Sequence, residues 1–313
     1  MILITGGLGY LGARIANYLI NSEKKVLLGV RSNTNVIPDE LKDSEVCIVD
    51  MEDQISLRKA CNGVDTIIHL AGMNSEDCMR DPEKAILINS KGTFDLLNAA
   101  KESKVKNFIY FSTAHVYRSP LTGFINEKSQ VNPSHSYSIS KQIAENYVLA
   151  ASDDENLNCI IFRLSNAVGS PLNKEANCWS LVTNNLCKAV FSKRKLQLNS
   201  NRQDKRDFIS ITDICRVVLF FLDKQLFLHN SEIYNLSSGN SITLADLAEL
   251  IVARSTKILG CTPEVIFNST ETISTSSDLK VSNIKLKKLG FNFSGSIIDE
   301  IDDLLIHCKT WYQ

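Results

Sequence analysis

Near its start the chain reads Thr5-Gly6-Gly7-Leu8-Gly9-Tyr10-Leu11-Gly12. A short apolar strand, Ile2 to Thr5, precedes this glycine-rich stretch, and an amphipathic helix, Tyr10 to Asn21, follows it. Glycines at such a junction permit a tight turn, let the backbone approach a pyrophosphate, and direct the helix N-terminus at its charge. We therefore predict a dinucleotide site here, the alternative being a turn that binds no ligand. Its predicted members are Gly6, Gly9, Tyr10, Leu11 and Gly12.

The first half of the chain alternates short β-branched runs with amphipathic segments. The runs predict strands over residues 2–5, 25–30, 46–49, 66–70, 108–111 and 159–162, and helices are predicted over 10–21, 91–103, 137–151 and 177–191. Continuous apolar strands separated by helices indicate a parallel sheet covered on both faces. The predicted fold class is α/β, a doubly wound (Rossmann) sheet with a smaller C-terminal α/β lobe.

The predicted division is a dinucleotide-binding domain over residues 1–170 and a substrate-binding lobe over 171–313. After residue 170 the elements become shorter, and polar stretches lie between them. Helices are predicted over 244–254 and 297–307, and one over 213–222 is expected to return to the sheet.

Composition excludes several classes of function. The chain has 313 residues, 34 Lys and Arg against 35 Asp and Glu, and a net charge of −1, so we expect no nucleic-acid partner. Nine cysteines without C-x-x-C spacing argue against a zinc site or disulfide framework and favour the cytoplasm. No basic leader precedes Ile2, and the apolar run Val217 to Leu222 is too short for a membrane span, so neither membrane nor metal is expected.

The residue after the second strand bears on the choice of cofactor. An Asp or Glu there would accept a hydrogen bond from a free ribose 2′-hydroxyl and would indicate NAD. This chain has Arg31, whose guanidinium can pair with a 2′-phosphate, so NADP is preferred and NAD is left open. The alternative is an ordinary solvent-facing arginine.

Two further strand ends are predicted to contact the cofactor. Asp50 and Met51 follow the third strand, where one hydrogen bond and one apolar contact could bracket an adenine. Leu70, Ala71 and Gly72 end the fourth strand with small residues where backbone runs close to a ligand. His69, within that strand, is interpreted as structural.

Tyr137 and Lys141 lie four residues apart on a predicted helix and therefore share a face. A free tyrosine is a poor proton carrier at neutral pH, but a cation beside it favours the phenolate. The pair thus predicts a general acid/base at Tyr137, although a solvated helix face could carry the same residues.

The chain resembles the extended short-chain dehydrogenase/reductase family, in its NAD-dependent epimerase/dehydratase branch, which acts on nucleotide sugars. Motifs spread over nearly the whole length carry the resemblance. They are the Gly6, Gly9, Gly12 loop, Asp50, His69-Leu70-Ala71-Gly72, Asn89-Ser90-Lys91-Gly92-Thr93, Ser112-Thr113-Ala114-His115-Val116-Tyr117, Tyr137-x-x-x-Lys141, Arg163-x-x-Asn166-x-x-Gly169 and Arg206 to Asp213.

The resemblance implies roles for particular residues. Tyr137 would carry the proton, Lys141 would hold the nicotinamide ribose and lower the tyrosine pKa, and Thr113 would hydrogen-bond the reacting oxygen. It also places Asn89 among the cofactor contacts and implies that Asn166 and Arg206 bind the substrate diphosphate. Arg206 could instead form an ion pair with Asp207 or Asp213.

The common chemistry of this family is hydride transfer at nicotinamide C4 coupled to proton transfer through tyrosine. Dehydratases usually carry an Asp-Glu pair after the catalytic threonine, whereas Ala114 and His115 follow Thr113 here, so dehydration is disfavoured. Because Arg31 favours NADPH, we predict a nucleotide-sugar 4-keto reductase. The alternatives are a 4-epimerase of UDP-hexose type with tightly bound NAD and, from another class, a non-catalytic dinucleotide sensor.

The chain departs from the usual motifs of the family in two places. Residues 271–278 lack the arginine that often adds a diphosphate contact, and Ser170 is inserted before Pro171. Both changes leave the identity of the substrate nucleotide open.

Relatives often dimerise through the helices predicted here over 91–103 and 137–151, so a homodimer is expected. Leu96, Leu97 and Ala100 could line that interface or face the sheet.

Overall fold

A computed structural model describes residues 1–32, 36–152, 157–227, 231–268 and 278–312. Of residues 271–278, the segment that lacks the arginine often found in the family, residues 271–277 lie outside the described part. The strands are β1 Ile2–Thr5, β2 Val26–Val30, β3 Glu45–Ile48, β4 Thr66–His69, β5 Asn107–Thr113, β6 Gly123–Ile125, β7 Asn158–Leu164, β8 Asn166–Val168, β9 Lys195–Leu198, β10 Lys205–Ser210, β11 Glu232–Leu236, β12 Ser241–Thr243, β13 Glu264–Phe267 and β14 Leu279–Val281.

The α-helices are α1 Tyr10–Asn21, α2 Gln54–Cys61, α3 Ser75–Arg80, α4 Pro82–Ala85, α5 Gly92–Glu102, α6 Ser136–Ala151, α7 Val182–Ser192, α8 Ile211–Lys224, α9 Leu244–Leu259, α10 Ile284–Lys288 and α11 Ile297–Tyr312. A π-helical turn, Ile86–Lys91, leads into α5. Short 3-10 turns span Asp39–Leu41 and Ala114–Val116. Among the described helices, none is both long enough and apolar enough to cross a membrane.

One compact unit, comprising Met1–Pro120, Glu127–Leu164 and Cys215–Asn235, contains the large sheet. Its strand order is β11-β7-β5-β4-β1-β2-β3, and the pairs from β3 across to β7 are parallel. The chain order reverses on either side of β1, which is where open α/β sheets bind ligands beyond the carboxyl ends of their strands. The predicted doubly wound fold is confirmed.

One core cluster of this unit lies between the sheet and the helices α2, α5 and α6. Leu3, Ile67 and Phe108 project from neighbouring strands and are fully buried with Leu57 of α2 and Val148 of α6. Burying such side chains contributes roughly 1.5–3 kcal/mol each before the entropy cost of folding. Leu96, Leu97 and Ala100 of α5 belong to the same cluster, so they face the sheet.

The second compact unit comprises Leu121–Asn126, Ser165–Ile214 and Leu236–Gln313. It contains a three-stranded sheet in the order β12-β10-β8 and two small sheets, β13-β9 and β14-β6. Its core is formed mainly by apolar faces of α7, α9 and α11, with Leu186, Leu247 and Leu304 fully or almost fully buried.

Most differences from the predicted elements occur at their ends or in polar segments. Helix α7 begins at Val182 instead of residue 177, because Cys178 and Leu181 are held in successive turns by backbone hydrogen bonds. The short helices α2, α3 and α4 were not predicted. Their N-terminal ends are fixed by the Asp53, Asn74 and Asp81 side chains, local caps that hydrophobic periodicity does not reveal.

Candidate active site

The glycine loop is a tight turn with no room for side chains at two of its positions. Gly6 has a φ of +68°, and the Gly9 N–H donates to its carbonyl oxygen at 2.9 Å. A Cβ on Gly12 would lie 2.1 Å from the same oxygen. Gly9 is the N-cap of α1, and the first turn, which holds Tyr10 and Leu11, has no acidic residue. Its N–H groups and the positive end of the helix dipole therefore fit an anionic group such as a pyrophosphate.

Hydrogen bonds bring the ends of three strands to this loop. The Gly7 N–H donates to the Gly29 carbonyl at 2.9 Å, which joins the loop to β2. The Leu70 and Ala71 N–H groups each donate to Thr5 Oγ1 at 3.2 Å, which joins it to the end of β4. Arg31 lies two residues beyond Gly29 and is exposed. The structure thus places Arg31 just past β2, the strand that binds the loop through Gly29.

Asp50 and Met51 lie after β3, as expected, but they have different surroundings. The Asp50 carboxylate accepts from the Glu52 N–H at 3.0 Å. Met51 is 7% exposed and packs in the core, where a Cβ on Gly92 would lie 2.8 Å from its own. Contact of either residue with an adenine ring remains a prediction.

His69 is a buried structural histidine, in agreement with its interpretation from sequence. Its Nδ1 lies 2.7 Å from Thr5 Oγ1, and its Nε2 lies 2.9 Å from Thr93 Oγ1. Burial, together with the nearby Lys141 charge, lowers the pKa of His69 to about 3. The ring is therefore neutral at physiological pH and bridges β1 to α5.

Asn89 lies in the π-helical turn before α5, and its amide holds several segments together. Its Oδ1 accepts from the Met73 N–H at 2.7 Å, and its Nδ2 donates to Ser140 Oγ at 3.0 Å and Cys78 Sγ at 3.4 Å. A Cβ on Gly72 would lie 2.8 Å from Asn89 Oδ1, so the glycine makes room for the amide. The side chain therefore links the loop after β4 to α3 and α6. A cofactor contact of Asn89 remains a prediction.

Tyr137 and Lys141 project from the first two turns of α6. Tyr137 is half-buried and Lys141 is 6% exposed, with its Nζ 4.4 Å from the centre of the Tyr110 ring. Burial, assisted by Cys78, raises the pKa of Tyr137 to about 12. Burial also lowers the pKa of Lys141 to about 8, although Glu145 opposes the shift.

These pKa values correct the expectation that Lys141 favours a Tyr137 phenolate. Lys141 lies over Tyr110, and desolvation dominates at both members of the pair. Because burial disfavours a charged form, Tyr137 holds its proton more tightly than a free tyrosine does. At neutral pH Tyr137 is therefore protonated.

Thr113 ends β5, and its hydroxyl begins the following turn. It is 5% exposed, and its Oγ1 accepts from the His115 N–H at 3.2 Å, leaving its O–H to donate elsewhere. Ser112 Oγ is buried with no hydrogen-bond partner in the described part of the chain. Of these two neighbouring hydroxyls, Thr113 is therefore the one that satisfies the backbone.

Asn166 and Arg206 lie in the second unit, on β8 and β10. Asn166 Nδ2 donates to the Asp207 carbonyl at 2.9 Å, which fixes the amide across the two strands. Arg206 is partly buried, and burial lowers its pKa. The Asp207 carboxylate accepts from Ser165, Ser238 and Gly239, and that of Asp213 from the Ser294 and Gly295 N–H groups. These carboxylates hold loops together, which does not support the alternative of an ion pair with Arg206.

Sequence reasoning missed three residues next to the Tyr137 and Lys141 pair. Glu145, fully buried, makes a bidentate ion pair with Arg163, with a shortest distance of 2.7 Å. Its position four residues after Lys141 was a visible signal. Cys78 contacts Asn89, and His135 caps α6. Cys78 had no sequence signal, because its partners are distant along the chain.

Comparison with known proteins assigns the family. The model of the NAD dependent epimerase/dehydratase family matches residues 2–237. The chain belongs to this family.

The curated relatives of this chain include proteins named as dehydratases and proteins named as epimerases. A dTDP-D-glucose 4,6-dehydratase of Dictyostelium discoideum is 30% identical over 281 residues, which cover 80% of this chain and 61% of that protein. The chain thus spans less than two thirds of that relative. A UDP-glucose 4-epimerase of Mycoplasma genitalium is 24% identical, over all of this chain and 96% of that protein.

Solved structures show the same fold over almost the whole chain. A crystal structure of a UDP-glucose 4-epimerase superposes with a TM-score of 0.85 at 22% identity, covering 98% of this chain and 97% of that one. The structure of RMD from Pseudomonas aeruginosa, complexed with NADPH, has a TM-score of 0.78 at 21% identity, covering 99% and 98%. At these identities the likeness concerns the fold alone.

Proposed function

We propose that this protein reduces the 4-keto group of a nucleotide-linked sugar, with NADPH as the hydride donor. The observation that carries the proposal is Arg31, exposed just past β2, the strand whose Gly29 carbonyl accepts from the glycine loop. Burial, which raises the pKa of Tyr137, supports it. The arginine suits a 2′-phosphate, and a protonated phenol suits a reaction in which a carbonyl oxygen must receive a proton.

The glycine loop and the start of α1 would hold the pyrophosphate of the dinucleotide. A side chain at Gly12 would collide with Gly6, and the first turn of α1 contains no acidic residue, so backbone can approach the phosphates closely. Arg31 would pair with the ribose 2′-phosphate through its guanidinium. The bound nicotinamide supplies the hydride.

Three side chains would act on the substrate oxygen and the proton. Thr113 would donate its O–H to the oxygen, and Tyr137 would pass its proton to the same oxygen as the carbonyl is reduced. Lys141, charged below a pKa of about 8, would hold the nicotinamide ribose. The chain's own contribution is thus orientation and one positioned proton.

The nucleotide-sugar part of the proposal rests on the family and on two residues of the second unit. The Dictyostelium and Mycoplasma relatives are both named for nucleotide-sugar substrates. Asn166 and Arg206, an amide and a guanidinium, are the groups we propose for the substrate diphosphate.

A second candidate, 4-epimerisation with tightly bound NAD, is favoured by the relatives. The Mycoplasma protein named as a UDP-glucose 4-epimerase covers all of this chain. An epimerase oxidises and re-reduces the same carbon, so the same three side chains would serve, but a 2′-phosphate contact would bring it no advantage.

We propose that dehydration is not the reaction, although the Dictyostelium relative is named as a dehydratase. Elimination of water needs an additional acid and base next to the reacting carbons. The position after Thr113 is a buried alanine, Ala114, whose methyl group can neither donate nor accept a proton.

The candidate reactions are separated by a panel of nucleotide-linked 4-keto sugars and UDP-hexoses. With the purified chain, we expect oxidation of NADPH, followed by its absorbance, with at least one keto sugar and slower oxidation of NADH. Arg31→Ala should weaken NADPH binding and leave NADH binding within about two-fold. No NADPH oxidation with any keto sugar, together with C4 inversion of a UDP-hexose in the presence of NAD, would establish the epimerase instead.

We also propose that the protein forms a homodimer through α5 and α6. Phe94 and Tyr147, one on each helix, are 40% and 41% exposed, and their ring centres lie 4.9 Å apart. Leu87 and Ile139 are exposed to a similar degree in the same part of the chain. Exposed aromatic and aliphatic side chains on neighbouring helices are typical of an interface.

A further inference from the structure

His135 contacts both of the elements that carry the proposed proton chemistry. Its ring is parallel to that of Tyr137, with an interplanar angle of 4° and centres 6.2 Å apart. The His115 ring meets it at a steeper angle, with centres 5.8 Å apart. Because the His115 N–H donates to Thr113 Oγ1, His135 packs between the turn that begins at Thr113 and the helix that begins with Tyr137.

The same residue is the N-cap of α6. His135 Nδ1 accepts from the Ser138 N–H at 3.3 Å, and Ser138 Oγ in return accepts from the His135 N–H at 3.3 Å. Most N-caps are Ser, Thr, Asn or Asp, whose acceptor oxygens do not titrate near neutral pH. An imidazole can accept only at an unprotonated nitrogen, so this cap requires a neutral ring with its proton on Nε2.

Protonation would turn the cap into a repulsive contact. A proton on Nδ1 would face the Ser138 N–H, so that two donors would oppose each other. It would also place a positive charge at the positive end of the α6 dipole. In the described residues, the titratable rings that face His135 are His115, from the turn after β5, and Tyr137, from α6 itself. Burial lowers the pKa of His135, in the direction that keeps the cap at neutral pH.

We propose that His135 is a positioning residue whose neutral imidazole fixes the start of α6, and Tyr137 with it, and whose protonation releases both. The part concerning Tyr137 rests on the proposed function, whereas the titration of the cap does not. His135 passes no proton to the substrate. It sets where Tyr137 stands and makes that position dependent on pH.

The test compares the full-length wild type with His135→Asn, which keeps an acceptor at the cap and removes the titration. The activity readout is kcat/KM for NADPH and a keto sugar that the wild type reduces, between about pH 5 and pH 8. The second readout, independent of turnover, is the thermal midpoint over the same range. His135→Ser provides a second non-titrating cap if the asparagine variant folds poorly, and His307→Asn removes an exposed histidine on α11 as a control.

From pH 7 to pH 5, kcat/KM of the wild type should fall about 5-fold or more relative to that of His135→Asn. This factor corresponds to the free energy that one lost helix cap typically costs. The thermal midpoint of the wild type should fall further than that of the variant, and His307→Asn should behave as wild type. Parallel pH profiles of wild type and His135→Asn in both readouts would overturn the proposal, as would an acid loss that disappears in His115→Asn instead. If the wild type turns over no substrate, the proposed function fails, while the thermal midpoints still decide whether the cap titrates.

Discussion

At the scale of single residues, burial sets the properties of the site more than charge pairing does. Tyr137 and Lys141 are each shifted toward the neutral form, the tyrosine to a pKa of about 12 and the lysine to about 8. The tyrosine is thereby kept protonated at neutral pH, and the lysine keeps its charge by a small margin.

The lowered pKa of Lys141 predicts that activity is lost at alkaline pH. The charged form is needed to hold the nicotinamide ribose, and it disappears as pH rises through about 8, so kcat/KM should fall there. Initial rates across the pH range measure this limb in the free enzyme. Lys141→Met should have low activity at every pH and no such limb. Wild-type activity that stays level well above pH 8 would contradict the assignment.

His69 predicts a loss of stability in acid. The group has an ordinary pKa of 6.5 and a folded pKa of about 3, so the unfolded chain binds the proton more tightly. The stabilisation is fully present above 6.5 and is lost as pH falls toward about 3, on the order of a few kcal/mol in all. Urea unfolding at several pH values should show a shallower acid loss for His69→Asn than for wild type. The exposed-site variant His307→Asn should follow the wild type, and equal slopes for all three would refute the prediction.

At the scale of elements, a buried ion pair joins α6 to β7. Glu145 is fully buried, Arg163 is 4% exposed, and the guanidinium also lies 4.7 Å from the centre of the Tyr117 ring. Such a pair adds little over an apolar contact, but removal of one partner leaves an uncompensated buried charge.

Glu145→Gln should therefore destabilise the protein by about 3–5 kcal/mol. A matched control is Glu102→Gln, because Glu102 forms an exposed pair with Arg58 at 2.8 Å, and its loss should cost about 1 kcal/mol or less. The measurement is the free energy of unfolding in urea. Similar small effects of the two substitutions would show that the buried pair is dispensable.

How far elements could be predicted depended on how local their signals are. Strand β1 and helix α1 were predicted to the residue, because an apolar run, three glycines and an amphipathic period follow one another directly. Strands β8 to β14 escaped prediction as a group, since most have only three to five residues and pair with segments distant along the chain. Periodicity over so few residues carries little information.

At the scale of the whole molecule, the sequence predicted which residues gather at the carboxyl edge of the sheet but not their electrostatic state. The Gly6 to Gly12 loop, Arg31 and Ala71 are brought together by β1, β2 and β4, as the doubly wound order requires. The direction of the Tyr137 pKa shift depends on burial, and that burial depends on tertiary packing around α6, which α3 and the π-helical turn contact. Residue spacing along α6 does not reveal it.

The proposed dimer is a property of the assembled molecule. Phe94→Glu would place a charge in the apolar patch of α5 and α6, so the protein should become monomeric in sedimentation velocity experiments. The control is Phe124→Glu, because Phe124 is 58% exposed on β6 in the second unit and should leave the assembly unchanged. A wild-type monomer, or a dimer unaffected by Phe94→Glu, would contradict the proposed interface.

The central claim is that Tyr137 delivers a proton as hydride moves, and one substitution tests it most directly. Tyr137→Phe removes only the phenol oxygen, and Tyr147→Phe makes the same change on the exposed part of the same helix. Single-turnover NADPH oxidation with a substrate keto sugar should slow by about 10²–10⁴-fold in Tyr137→Phe, and NADPH binding, followed by its fluorescence, should persist. Tyr147→Phe should match the wild type. Undiminished turnover in Tyr137→Phe would contradict the account and would leave a dinucleotide-binding protein whose tyrosine has no catalytic part.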